Sequence, residues 1–78
     1  QRFRNLERVG ASFDGVDKCY AVQAGREIRI IVNPKKISDE ESYDLARQVA
    51  RKIEEELQYP GQIRVTMVRE NRFVEYAK

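Results

Sequence analysis

The stretch from Ile37 to Gly61 limits what this chain can fold into more than any other, because it reads as one amphipathic helix with a start and a stop. Ser38 is a favourable N-cap, and Glu41 three positions later completes a capping box in which each side chain satisfies an otherwise orphan backbone N–H. Asp39, Glu40 and Glu41 set negative charge at the positive end of the helix dipole. Ala46, Val49, Ala50, Ile53 and Leu57 recur at spacings of three and four, which places them on one face. Pro60-Gly61 ends the helix, since proline lacks the N–H that a further turn requires. The remaining segments read as short strands in need of an apolar partner, and this stripe is the one large partner in view.

The strands follow from alternation. Val16, Lys18, Tyr20, Val22 and Ala24 fall on one side of a first strand, with Asp17, Cys19, Ala21 and Gln23 on the other. A second strand over Glu27–Val32 points Ile28, Ile30 and Val32 to one face. Ala24-Gly25 joins the two as a hairpin, because glycine accepts the left-handed conformation of a tight connection. Asn33-Pro34-Lys35-Lys36 breaks the second strand before the helix. After the helix, Ile63, Val65 and Met67 alternate against Arg64, Thr66 and Val68. Glu70-Asn71 reads as a turn into a short fourth strand over Arg72 to Tyr76. Asn5 or a nearby residue is a candidate cap for a short helix through Leu6, Val9 and Phe13, with a tether as the competing reading, and Gly10 and Ser12 weaken the helix.

The predicted architecture is an α+β two-layer sandwich, (α)-β-β-α-β-β, with a small mixed or antiparallel sheet packed on one long helix. A chain of 78 residues holds one small domain and no second core. The face bearing Ile28, Ile30, Val32, Ile63, Val65 and Met67 meets the helix. The other face holds Glu27, Arg29, Arg64 and Thr66 together with apolar Ile31 and Val68. Those two make it less polar than a solvated face, so cover by the N-terminal segment or by a partner is expected.

Catalytic chemistry has little to work with. The chain contains no histidine, which removes the most common general base and metal ligand. Cys19 stands alone, with no disulfide or thiolate cluster to join, and reads as a small core residue in a reducing, cytosolic setting. The four glycines are scattered and form no phosphate-binding loop. Asp39-Glu40-Glu41 is explained by capping, and three consecutive helical acids such as Glu54-Glu55-Glu56 point in different directions and cannot converge on a metal. No catalytic residue, metal ligand or cofactor is therefore assigned to this chain. The longest apolar run, Ile30-Ile31-Val32, is far short of the ~20 residues that span a bilayer, so no direct membrane contact is expected of it. The start at Gln1, not Met, suggests a piece cut from a longer protein.

Binding readings remain. Fifteen bases against thirteen acids give a net charge of +2, mixed and not polarised. Arg26, Arg29, Lys35, Lys36, Arg64, Arg69 and Arg72 are candidates for RNA contact, with Arg29, Lys35, Lys36 and Arg64 foremost and Tyr20, Phe73 and Tyr76 as stacking groups. The competing reading makes them solvated strand charges that discourage edge-to-edge pairing. Glu54 and Glu55, near the helix end, and Ile31 and Val68, on the second sheet face, are candidates for a protein-partner surface.

A resemblance adds to this. Tyr20-Ala-Val-Gln-Ala-Gly-Arg-Glu-Ile-Arg-Ile30, the helix entry Ile37-Ser-Asp-Glu-Glu41, Glu56-Leu-Gln-Tyr-Pro-Gly-Gln-Ile-Arg-Val-Thr66 and the ending Arg72-Phe-Val-Glu-Tyr-Ala-Lys78 together resemble the extreme C-terminus of the bacterial ribonuclease Y family. The likeness runs from about Leu6 to Lys78. It implies a parent with an N-terminal membrane anchor, a coiled coil, a KH RNA-binding domain and an HD-type phosphohydrolase domain that cleaves single-stranded RNA and initiates mRNA decay. Such a parent sits at the cytoplasmic face of the membrane and uses divalent metal held by histidines and aspartates. No catalytic residue of the family maps onto this sequence. Residues 1–13 would be a helical tail or linker from the HD domain, and residues 14–78 a C-terminal accessory domain. Its implied roles are to support that domain, to self-associate as a homo-oligomer, or to dock an RNA-decay protein; the alternative is an auxiliary module for single-stranded RNA.

Overall fold

The computed structural model describes residues 2–22, 24, 26–57 and 61–78, with backbone alone for residues 2–4. Five elements follow in order: α1 (Arg2–Ala11), β1 (Val16–Val22), β2 (Glu27–Val32), α2 (Asp39–Leu57) and β3 (Arg64–Arg69). The sheet runs β1-β2-β3, with β1 antiparallel and β3 parallel to the central strand. The predicted α+β class with a mixed sheet is what forms. The expected helix stop at Pro60 and turn glycine Gly25 lie outside the described residues.

The core is built on β2. Ile28, Ile30 and Val32 are fully buried, and they pack with Leu45, Val49 and Ile53 of α2 and with Leu6 and Val9 of α1. Both helices therefore lie on the same face of the sheet. Leu6 and Val9 are 0% and 1% exposed, so α1 belongs to the packed unit and is no tether. Each such aliphatic burial contributes roughly 1.5–3 kcal/mol relative to exposure. A domain boundary at residue 13 does not coincide with any gap in this core. The helix also starts before Asn5, which sits inside it and caps nothing. Its close approach depends on Gly10, where a Cβ would collide with Cys19 Sγ and lie 2.9 Å from Ile28 Cδ1.

Local chemistry sets the start of α2. The Ser38 N–H donates to Glu41 Oε1 at 2.8 Å, and the Glu41 N–H donates to Ser38 Oγ at 3.1 Å, so the capping box closes in both directions. The Ser38 contacts hold the Glu41 carboxyl below its ordinary range. The buried stripe is Ser42, Leu45, Val49 and Ile53, while Ala46, Ala50 and Leu57 flank it half-buried. Leu45 lies on the side that meets Phe13 and Ser12 after α1, which a stripe drawn against the sheet alone leaves out.

Two strand details differ from simple alternation. The β1–β2 register shifts between Val16 and Lys18, and this bulge brings Val16 to the core side with Cys19 and Ala21. The fourth strand is absent among the described residues: after Arg69 the chain carries no strand, and Phe73 and Tyr76 are 91% and 83% exposed. Alternation over Arg72–Tyr76 offers no consistently apolar face, since Phe73 shares a side with Glu75, and Val74 and Tyr76 with Arg72. The hairpin linking β1 and β2 places Arg26 at φ 47°, an uncommon conformation for a residue with a side chain.

Substituting Gly10 by alanine tests the α1 contact, because helix propensity and packing act in opposite directions. Propensity favours alanine by about 1 kcal/mol; the collision with Cys19 and Ile28 costs about 1–3 kcal/mol. Urea denaturation of Gly10→Ala should show net destabilisation, whereas a more stable variant would mean that α1 does not approach the sheet as described.

Candidate functional site

With both helices on one side, the opposite sheet face is left uncovered by secondary structure. Pairing places Lys18, Tyr20 and Val22 of β1, Glu27, Arg29 and Ile31 of β2, and Arg64, Thr66 and Val68 of β3 on it. Three bases against one acid make this face positive. The N-terminal segment does not cover it, contrary to one expectation; α1 sits beside α2 instead.

A polar chain crosses all three strands here. Glu27, 6% exposed, accepts from Thr66 Oγ1 at 2.6 Å and from Arg29 Nε at 3.2 Å through the same Oε2. The Thr66 hydroxyl and then the Arg29 guanidinium hold its carboxyl below the ordinary range. Arg29 is in turn held in its charged form by Tyr20, its register partner on β1, and by Glu27. Register sets Arg64 opposite Glu27 on β3. The two arginines singled out in the sequence thus share one face and flank one buried acid, with Tyr20 beside Arg29.

The other candidates separate. Lys35 and Lys36 are exposed in the turn before α2, where the Lys35 N–H donates to Asn33 Oδ1 at 2.8 Å. Ile31 and Val68 lie on the open sheet face, while Glu54 and Glu55 lie on α2, so these four residues do not form one surface. Glu54 borders the β3 side of α2 with Ile63 and Arg64, and Glu55 borders the Phe13 side with Arg47 and Arg51. Lys52 offsets the acidic end, 3.9 Å from Glu56 and 5.3 Å from the centre of the Phe13 ring. Arg69, a nucleic-acid candidate by composition, is a staple instead. It donates to Ile37 O at 2.8 Å, Asp39 Oδ1 at 2.6 Å and Pro34 O at 3.1 Å, tying the end of β3 to the entry of α2.

Burial, and then the Glu7 carboxylate, push the Cys19 thiol up to about 11, so it stays protonated at neutral pH and is a poor nucleophile. Among the described residues no three His, Cys, Asp or Glu side chains converge to hold a metal ion, and no helix is long and apolar enough to cross a membrane. Sequence reasoning overlooked Lys18, whose place on the basic face follows once β1 is registered against β2. It also overlooked Glu7, which accepts from the Ala21 N–H at 2.8 Å and covers part of the outer edge of β1.

Comparison with known proteins gives a consistent answer over the whole chain. All 78 residues align with ribonuclease Y of Symbiobacterium thermophilum at 62% identity, of Aquifex aeolicus at 59% and of Fusobacterium nucleatum at 58%. The chain spans 14–15% of the length of these curated relatives. No protein-family model matches it. No solved structure matches it.

The network around Glu27 gives a pH signature. Because its folded-state pKa is lowered, Glu27 contributes stability above the unfolded value of about 4.3 and loses it as pH falls through the folded value. Glu27→Gln should therefore unfold at a urea midpoint that changes less between neutral pH and pH 3 than that of the unsubstituted chain. Equal acid sensitivity in the two proteins would show that the Thr66 and Arg29 contacts do not hold the carboxylate.

Proposed function

We propose that this chain, which belongs to the ribonuclease Y family, is a non-catalytic accessory domain of a metal-dependent endoribonuclease that initiates mRNA decay. The observation that carries the reading is a match to ribonuclease Y over all 78 residues of a chain without a single histidine. Metal-activated attack of water on phosphorus needs ligands and a general base that these residues do not supply. The cutting belongs to an HD-type domain elsewhere in the parent, anchored at the cytoplasmic face of the membrane. This domain supports that one, mediates self-association or docks a partner. The purified 78-residue chain should leave single-stranded RNA intact with Mn²⁺ or Mg²⁺. Metal-dependent cleavage that co-purifies with the folded chain would overturn the reading.

A second reading is favoured by the open sheet face, where Lys18 and Arg29 neighbour the part-exposed Tyr20 ring and Arg64 adds a third base on β3. Basic side chains beside an aromatic group suit a single strand, whose phosphates and unstacked bases they can engage together. An auxiliary RNA-binding role would help feed substrate to the parent nuclease. It predicts salt-sensitive binding of single-stranded RNA that weakens at least about tenfold in Arg29→Glu/Arg64→Glu. Binding that is absent at low salt, or indifferent to this double change, would remove it.

A further inference from the structure

The two edges of the sheet are treated differently. β1 is blunted by its bulge and by the Glu7 carboxylate on the Ala21 N–H. β3 is the opposite edge, and among the described residues no strand pairs with its outer side. Along that edge runs a slot between β3 and α2, made of two recesses that share Arg64 and Val65. Ala46 and Ala50 on α2 are small, and across from them stand Val65 and Met67. Tyr43 borders one half of the slot, and the other half ends at Glu54.

The same molecule carries an unpartnered segment of strand-forming residues. Phe73, Val74 and Tyr76 are all exposed, with no secondary structure after Arg69. Six steps of extended chain from Arg72 to Lys78 span about 20 Å, and the helix from Asp39 to Glu54 that flanks the slot rises about 22 Å. In the antiparallel sense, with Val74 opposite Met67 and Tyr76 opposite Val65, apolar residues meet in the slot, while Arg72 at the start of the segment falls opposite Arg69, whose guanidinium is already held by Asp39, Ile37 and Pro34. Val74 and Tyr76 enter the slot beside the two alanines, and Phe73 lies next to Val68 on the open face. Glu75 falls near Arg64, and Lys78 reaches the Glu54 end, so opposite charges meet at both places.

A chain filling its own slot would need a tight hairpin through Glu70-Asn71. The hairpin turns compatible with strand twist demand positive φ at a central residue, a conformation that glutamate resists. Among the described residues Arg26 is the one non-glycine residue with positive φ, so neither Glu70 nor Asn71 makes that turn. Glu70 to Phe73 instead border a recess with Lys18, Ile31 and Lys35, on the open face and towards β1. The tail thus leaves the slot of its own chain.

We propose that residues 72–78 of one copy add as an antiparallel strand to the β3 edge of a second copy, with the exchange reciprocated across a two-fold axis. The proposal stands on edge, slot and tail, and does not depend on the parent being a nuclease. Sedimentation equilibrium of the 78-residue chain should show a monomer–dimer equilibrium. Mixing isotope-labelled with unlabelled chain should give intermolecular proton contacts between the Tyr76 ring and the Met67 methyl. Val74→Asp/Tyr76→Asp alters exposed side chains and should leave the circular dichroism unchanged while weakening the dimer at least about tenfold. Three results would overturn the proposal: a chain that stays monomeric at NMR concentrations, a monomer whose tail is hydrogen-bonded to its own β3, or a dimer indifferent to the double change.

Discussion

A three-stranded sheet with one dry face has to be covered, and the burial of Ile28, Ile30 and Val32 on its central strand is the constraint from which the rest follows. One helix alone leaves part of that face wet. α2 covers the side towards β3 through Val49 and Ile53, and α1 covers the side towards β1 through Leu6 and Val9. The absence of a side chain at Gly10 lets the second helix come near enough to do so. The capping box at Ser38 and the three bonds of Arg69 then hold the α2 entry where the end of β3 needs it.

Committing both helices to one face determines what is left for function. The opposite face keeps its charges in order through a hydrogen-bonded line from Arg29 through Glu27 to Thr66, with a buried acid between two arginines. Such a face is positive yet tied down, which suits a contact surface better than a catalytic one. The edges divide in the same way: β1 is protected by α1 and its bulge, while β3 has no strand on its outer side among the described residues. The likeness to ribonuclease Y covers all 78 residues of this chain, a length equal to about 15% of those proteins.

Local chemistry was readable in the residues, and long-range packing was not. Ser38 and Glu41 declare their cap through spacing alone, and the alternation from Glu27 to Val32 declares both faces of β2. Gly10 reads as a helix weakener in isolation, although its worth lies in contacts with Cys19 and Ile28 far along the chain. Leu45 escaped the stripe because its partners follow α1, and the bulge at Asp17 moved Val16 across the sheet with no mark in the local pattern. Arg72–Tyr76 has the composition of a strand, but composition cannot say whose edge it joins. Alternation puts Arg29 and Arg64 on one sheet face; that Glu27 is buried between them follows only from the register.

The central claim is that α1 is part of one cooperative core and not a linker resting on it. Native-state hydrogen exchange measures this directly, because amides that open only with global unfolding share one free energy. The slowest amides of α1, around Val9 and Gly10, should exchange with the same opening free energy as those of Ile30 in β2 and Val49 in α2. Exchange in α1 that is faster by orders of magnitude, with β2 and α2 still protected, would contradict the account.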